Sequence, residues 1–366
     1  MSRVDLVVKS DIDWSIRTRQ VASMFDLEKG PSFESWSFDL DLPDEWSIGL
    51  IVGPSGSGKT TVARHLFGDC FNDDMGWPAD GTVIDGFDKS ISVKDVCSAL
   101  SSVGFSSPPS WLRPFHVLSN GQKFRAEVAR TLVSDKPIVA IDEWTSVVDR
   151  TVAKIGSAAI AKAIRRTDRR MVAVGCHYDV IEWLQPDWVL HMPEGRLDRR
   201  SVQPRPAIEL KISRVDRSAW NVFRRHHYLD HSIAPSAACF VAEWNNVPVA
   251  FASTLPFPHP RRSGWREHRT VCLPDFQGVG IGNNLSEFIA SAYRATGKPY
   301  RSVTSHPAMM RYRARSKKWA MYRKPGTQAI SPTVMQGFGT ATSRITAGFE
   351  YIGSTDKDAA RAFGLI

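Results

Sequence analysis

The chain has 366 residues, 42% of them hydrophobic and 23% charged, and a net charge of +9. That length exceeds one ordinary domain and makes two the natural expectation, and no apolar run approaches the ~20 residues that a membrane-spanning helix requires. The charge is uneven: from Ile208 onward 22 Lys and Arg face 10 Asp and Glu, whereas the first 207 residues hold 25 against 28, so the C-terminal half is expected to meet an anionic partner, most often nucleic acid.

The opening residues carry acids early and lack an extended apolar core, so no signal peptide is expected. Five scattered cysteines show neither metal spacing nor a disulfide framework, which fits a reducing cytosol and a cytoplasmic protein. Residues 1–47 mix short apolar stretches with Trp14, Trp36 and Trp46, and the alternation over 35–40 predicts a strand. The apolar run 48–52 then leads into Gly53-Pro54-Ser55-Gly56-Ser57-Gly58-Lys59-Thr60-Thr61, which has P-loop spacing. Glycines let consecutive N–H groups curl toward one phosphate cluster, Lys59 supplies a point charge, and the Thr60 hydroxyl suits Mg²⁺. A helix is expected to start here, so its positive dipole end also faces the anion. Gly53, Ser55, Gly56, Gly58, Lys59, Thr60 and Thr61 are therefore the expected cradle for ATP, with Thr60 on the metal.

Residues 68–88 are rich in Gly, Asp and Asn and read as loops; a helix is expected over 93–103, closed by the breakers at 106–109. Leu118-Ser119-Asn120-Gly121-Gln122 precedes a helical pattern over 123–133. Residues 136–143 read as a buried strand ending in Asp142 and Glu143, and the strand 171–176 ends at His177. A carboxylate at the end of a strand beside a P-loop is where Mg²⁺ and an attacking water need partners.

Taken in order, these motifs resemble the nucleotide-binding domain of the ABC ATPase superfamily over about residues 1–195. The resemblance implies that Asp142 holds Mg²⁺, Glu143 polarises the hydrolytic water and His177 contacts the γ-phosphate. It also implies an ATP-dependent homodimer, in which Ser119 and Gly121 of one subunit cover the ATP of another, with 146–149 in the dimer-contacting loop. The sequence departs from the family in two ways. Between the P-loop helix and LSNGQ there is no glutamine, and that segment is compressed where transporters meet their membrane subunits. The chain thus looks more like the ABC ATPases that act as ATP-driven clamps or switches, with no membrane partner.

Residues 192–207, with three prolines and four arginines, read as a linker. The expected organisation is an ATPase domain at 1–195, a linker at 196–207 and a second domain at 208–366. In that second part the pattern predicts a strand (208–213), a helix (217–228), strands at 237–243 and 248–255 joined by Asn245-Asn246, and a strand at 269–273. Gln277-Gly278-Val279-Gly280-Ile281-Gly282 follows, then a helix over 283–296 and a strand over 300–304. A strand, a glycine-rich turn and a helix N-terminus again suit phosphate oxygens, here without a lysine. Gln-x-x-Gly-x-Gly in this setting resembles the acyl-CoA pyrophosphate loop of the GNAT acyltransferases over about residues 208–350, which implies that Gln277, Gly278, Gly280 and Gly282 hold acetyl-CoA or another acyl-CoA. The fold class expected is α/β: a P-loop ABC-type ATPase domain followed by a GNAT-like mixed α/β domain.

Acyl transfer needs a base for the attacking amine and an acid for the leaving thiolate. Tyr312 matches roughly where the GNAT family places its acid; His227, Tyr228 or Glu243 could be the base, and His306 could line the cleft. The run 309–324 interleaves seven cations with Tyr312, Trp319 and Tyr322, a pattern for phosphates and stacked bases, or a solvated helix with Trp319 in the core. The stretch 223–236 looks faintly like the Mom-type GNAT relatives of phages, which modify adenine in DNA. The favoured reading is an ATPase fused to an acyl-CoA-dependent N-acyltransferase acting on nucleic acid, with DNA modification in view. The rivals are an ATP-operated binding switch with a degenerate GNAT module, or an acetyltransferase for protein or small amines.

Overall fold

The computed structural model describes residues 2–26, 31–71, 76–200, 204–227, 231–258, 262–327 and 345–366. The first elements are β1 (Ser2–Ser10), α1 (Ile16–Met24), β2 (Ser32–Leu40), β3 (Ile48–Val52) and α2 (Lys59–Phe67). Next come α3 (Val93–Ser102), α4 (Pro108–Trp111), α5 (Asn120–Leu132), β4 (Ile138–Ile141) and α6 (Arg150–Ile164). They are followed by β5 (Arg170–Gly175), α7 (Ile181–Leu184), β6 (Trp188–His191) and β7 (Arg196–Arg199). The last third holds β8 (Lys211–Val215), α8 (Trp220–Phe223), β9 (Ala238–Trp244), β10 (Val247–Phe257) and β11 (Gly264–Cys272). It continues with α9 (Ile281–Arg294), β12 (Tyr300–Thr304), α10 (Pro307–Arg315), β13 (Trp319–Gly326), β14 (Thr346–Tyr351) and α11 (Lys357–Ala362). Among the described residues no helix is long and apolar enough to cross a membrane.

Contacts divide the chain into two units, one of Met1–Asp74, Asp135–Ser146 and Ile164–Pro204, the other of Met75–Ser134, Val147–Ala163 and Arg205–Ile366. The first unit is built on a sheet of order β4-β5-β3-β6-β7, parallel except for β7, which begins within the segment expected as linker. β3 is buried along its whole length, and Gly49 within it lies so close to Trp188 that a Cβ would sit 1.9 Å from the indole. Parallel strands end at one edge, so β3, β4 and β5 deliver Gly53, Asp142 and His177 to the same side of the sheet. The β1–β2 hairpin adds Val4, Trp36 and Leu40 to a core shared with Ile51, Val62 and Leu190.

The second unit has a sheet of order β13-β14-β12-β11-β10-β9-β8, antiparallel except at β11–β12. One face packs on α9, whose Leu285, Ile289 and Tyr293 recur at helical spacing against Phe240, Ala250 and Phe349. The alternate residues Cys239, Val241 and Phe251 face the other way, onto Trp220 and Phe223. β11 and β12 pair only at Trp265↔Tyr300 and Arg266↔Arg301 and then diverge.

Where the backbone ladder ends, side chains take over. The nearly buried Glu267 accepts from Thr270 Oγ1 (2.6 Å), Ser286 Oγ (2.7 Å), Ser302 Oγ and the buried Arg313 (2.9 Å). Arg313 also donates to Ser286 Oγ and Ser302 Oγ and lies 4.3 Å over the Trp319 ring. Burial alone would raise the Glu267 carboxyl, but Arg313 and the three hydroxyl donors outweigh it and hold it below the usual range.

Two expectations need correction here. The helix expected over 217–228 is only α8 between two tight turns, 217–219 and 224–226, because Trp220 and Phe223, three apart, are the residues that reach the sheet. Tyr228 lies outside the described residues. The run 309–324 is not one cationic face: α10 stops at Arg315, β13 begins at the buried Trp319, and Arg313 is an internal ion-pair partner at 1% exposure.

Replacing Arg313 by Met should leave Glu267 buried without its cation and cost about 3–5 kcal/mol in urea unfolding of this unit. The ion pair's contribution is complete above the ordinary Glu pKa of about 4.3 and is lost as pH falls through the lower folded value. The acid branch of the stability curve should therefore flatten in Arg313→Met; a loss below about 1 kcal/mol would refute the assignment.

Candidate functional site

At the C-terminal end of β3 the chain turns through Gly56 and Gly58 at φ 77° and 82°, and Gly58 caps α2 without a side-chain hydrogen bond. The first N–H groups of α2 are thus left for a ligand. Trp36 holds this turn from beneath: its Nε1 donates to Ser57 O (3.2 Å), and a Cβ at Gly58 would come within 2.2 Å of its ring. Lys59 Nζ donates to Pro54 O at 2.6 Å, folded onto the loop it would release for a phosphate. Thr60 Oγ1 donates to Asp142 Oδ1 at 3.2 Å, so both proposed metal-side oxygens already stand together. Glu143, exposed and at φ 51°, accepts from Ser146 Oγ at 2.6 Å. His177 follows β5 and is half-buried. The residues present fit a Mg²⁺-bound nucleoside triphosphate: an uncapped helix start, a lysine, and a hydroxyl beside a carboxylate.

Ser119 and Gln122 form a capping box at the start of α5, where Ser119 Oγ accepts from Gln122 N and Gln122 Oε1 accepts from Ser119 N. Ser119 is exposed, and Gly121 is fixed by packing, since a Cβ there would meet Val152 at 2.9 Å.

The second cradle is of the same construction. Gly278 and Gly280 turn at φ 96° and 100°, and Gly280 caps α9 without a side-chain hydrogen bond. An added Cβ at Gly280 would meet its nearest atom only at 4.0 Å, which leaves room for a phosphate group there, whereas one at Gly282 would touch Cys272 Cβ at 3.6 Å and the Gly282 N–H donates to the Cys272 thiol. Gln277 instead makes protein contacts: Oε1 accepts from Ser106 N (3.0 Å) and Nε2 donates to Cys272 O (2.9 Å). Gly278 has a packing reason, since a Cβ would meet Ala159 Cβ at 2.6 Å and Gly104 Cα at 2.9 Å.

Beside it, the divergence of β11 and β12 opens a cavity of about 100 Å³ lined by His226, His227, Glu267, His268, Cys272 and His306, among others. His268 is the extra residue of a β-bulge, because Thr254 pairs with Glu267 and Ser253 with Arg269, and the bulge lets neighbouring side chains both reach the cleft. His268 Nε2 accepts from Ala234 N, and His306 Nε2 donates to Ser106 O (2.9 Å). Burial, with smaller effects from Arg225 on His226 and Arg313 on His306, pushes both rings below the ordinary histidine value. The Cys272 thiol is pushed by burial up to about 12 and stays protonated. Among the described residues no group of three or more His, Cys, Asp or Glu is placed to hold a metal ion.

A model of the Acetyltransferase (GNAT) family matches residues 205–314. The N-terminal region is similar to the cytochrome c biogenesis ATP-binding export protein CcmA of Roseobacter denitrificans, 28% identical over 169 residues, 41% of this chain and 79% of that one. It is also similar to an ATM1-type heavy metal exporter of Novosphingobium aromaticivorans, 28% identical over 190 residues, but this chain spans only 30% of that protein's length and the match covers 40% of this chain. Among solved structures, a dimeric bacterial ABC transporter cassette is similar at TM-score 0.37 and 16% identity, covering 45% of this chain and 92% of that one. Residues 205–314 thus match the GNAT family model, and the N-terminal region is similar to ABC-type ATP-binding proteins.

The structure brings the expected cassette residues of the first unit, Gly53 to Thr61, Asp142, Glu143 and His177, to one sheet edge. In the GNAT domain it places His227 in the cleft wall, buried and edge-on to Trp220, with His306 in the same wall. Tyr312 lies on α10 outside that lining, its hydroxyl donating to Glu287 Oε1 at 2.9 Å; burial and Glu287 raise its pKa. Glu243 is half-buried at the end of β9. Sequence reasoning missed Trp36, Glu267 and His268. The alternation through β2 already placed Trp36 on the face of Leu40, whereas a bulge such as that at His268 leaves no local signal.

Replacing Gly280 by Glu adds bulk and a like charge in the open space and strains a φ of 100°. Calorimetry should detect no binding of CoA to Gly280→Glu, while ATP binding persists. In ¹H–¹³C NMR the His306 ring should remain neutral at pH 7 and titrate below the ordinary histidine value of 6.5; a midpoint above it would refute the described environment.

Proposed function

We propose that this chain couples ATP hydrolysis to acyl transfer from an acyl-CoA onto an amine, and that the amine is carried by nucleic acid. The observation that carries the acyltransferase reading is the pairing of an open, uncapped glycine cradle at Gly280 with a cleft between diverging strands. A second cavity of about 620 Å³ begins at Asn284, one turn from Gly280; its wall holds Lys318, paired with Glu287, and Lys357 beside Asp356 and Asp358. Its size and position would admit the adenosine end of CoA. The diverging strand edges offer backbone groups to the pantetheine arm.

The amine nitrogen attacks the thioester carbon, the C–S bond breaks, one proton leaves the nitrogen and one reaches the thiolate sulfur. We assign the base to the histidine wall, to His227 or His306, whose burial favours the neutral ring for His306. Tyr312 keeps its proton on Glu287 and receives no proton-transfer role. In the cassette, Thr60 and Asp142 hold Mg²⁺, Glu143 polarises water and His177 meets the γ-phosphate. Two cassettes enclose ATP between P-loop and Ser119, so ATP promotes a homodimer. The nucleic-acid acceptor is supported by the excess of 22 Lys and Arg over 10 Asp and Glu after residue 207, and by the exposed Arg315, Lys317, Tyr322 and Lys324.

Glu143→Gln should bind ATP, lose most turnover and shift to dimer mass in light scattering with ATP; normal turnover would sink the role of Glu143. Incubation with ATP and acetyl-CoA should add an acetyl mass to DNA or RNA and not to protein. A mass change on protein alone would move the acceptor to lysine, and none on any acceptor would favour a degenerate GNAT module.

A further inference from the structure

Arg125 sits on α5, six residues beyond the N-cap Ser119, or roughly 9 Å along the axis at 1.5 Å per residue. It is 2% exposed and lies among Phe124, Ala126, Val128 and Ala129, a place where an arginine needs a reason. Its guanidinium points out of the cassette into the GNAT loop. Nη1 donates to Gly104 O (2.6 Å) and Gln277 O (3.1 Å), and Nη2 donates to Asp275 O (3.1 Å). Among the described residues no carboxylate hydrogen-bonds to it. Burial lowers its pKa to about 10, so it remains a cation at neutral pH.

Two carbonyls on the approach to the glycine turn are thus clamped by one planar group. A trans planar peptide whose C=O is held on one side directs its N–H to the other, so the clamp on Gln277 O sets the direction of the Gly278 N–H. The surroundings are equally tight: Gly104 and Gly278 meet backbone to backbone, and Ser106 N holds the Gln277 side chain. A buried cation that hydrogen-bonds only to carbonyls is costly; the charge of Asp275 offsets part of that cost, and an anion bound in the adjoining cradle would offset more. The loop has no lysine of its own.

We infer that Arg125, a residue of α5, is a positioning residue of the acyl-CoA site: it fixes the loop 275–280 and supplies the positive charge opposite the pyrophosphate. This rests on the reading of residues 277–282 as an acyl-CoA loop. The ATPase part then completes the site for the second substrate, and α5 joins the serine that covers ATP to the arginine that holds the CoA loop. By linkage, a ligand at either end of α5 changes the affinity at the other by the same factor.

Arg125→Ala would leave three carbonyls without a donor and a large void, so Arg125→Lys is the informative variant: it keeps the charge and loses the fork. Calorimetry with CoA should show affinity about tenfold to a hundredfold weaker in Arg125→Lys than in the unaltered full chain. Pantetheine, which lacks the pyrophosphate, should bind both alike by ligand-observed NMR. Ser98→Ala, which removes the Arg311 hydrogen bond from the same junction, should bind CoA normally. Hydrogen exchange on the unaltered protein adds an independent reading, in which CoA should slow amides of 120–127 as well as 279–283. Equal CoA affinity in Arg125→Lys, equal weakening of CoA and pantetheine, or protection confined to 279–283 would each overturn the proposal. Failure of the unaltered protein to bind CoA would overturn the acyl-CoA reading and this inference together.

Discussion

The buried ion pair between Glu267 and Arg313 is the constraint around which the GNAT domain is arranged. A parallel pair of strands that separates loses its ladder hydrogen bonds, and the sheet gains a cleft only if something else fixes the two edges. Glu267 on β11 reaches Ser302 on β12, Ser286 on α9 and Arg313 on α10, so four elements meet at one carboxylate. A buried carboxylate is expensive unless its lone pairs are filled, and here three hydroxyls and a guanidinium fill them. The guanidinium is covered in turn by Trp319 at the start of β13. The same group of residues therefore holds the cleft open and closes the core behind it.

Two glycine turns show one physical device used twice. In each, a glycine at positive φ forms the N-cap of a helix that no side chain caps, at Gly58 for α2 and at Gly280 for α9. Uncapped N–H groups and the positive end of the helix dipole favour an anion without any basic residue. Their supporting partners differ. Gly58 rests on the face of Trp36 and is followed by Lys59, whereas Gly280 has space beside it, and the buried Arg125 holds the Gln277 carbonyl three residues before it.

Most of what the sequence disclosed is local chemistry. Gly-rich turns followed by helices, a capping serine three residues before Gln122, and Asn245-Asn246 at φ 52° and 62° can be read because each residue type answers a need within a few positions. The cleft was less legible. Arg313 stood in a run of seven cations and read as surface, yet on α10 it turns inward and pairs with a residue 46 positions earlier. His268 enters the cleft through a bulge that strand alternation does not reveal. The helix expected over 217–228 failed because two aromatics three apart suit a tight turn as well as an α-helix. Arg125 read as one more residue of a regular helix; the apolar neighbours on both sides were the only sign that it faced inward.

The junction between cassette and GNAT residues follows from the same long-range logic. One contact unit contains 75–134, 147–163 and 205–366, and within it two glycines at positive φ, Gly104 and Gly278, bring their backbones close together. Glycines can bring backbones together where any side chain would separate them, and such a contact has little tolerance for sliding. Carbonyls brought this close to a neighbouring backbone cannot reach water, and the Arg125 guanidinium supplies the donors for Gly104 and Gln277 together. Backbone proximity creates the need for a buried donor, and the buried donor in turn fixes the glycine loop at the start of α9. Within this unit, residues 104 and 125 are therefore joined to the glycine turn at 275–278 by packing and hydrogen bonds, in addition to the covalent chain that connects them.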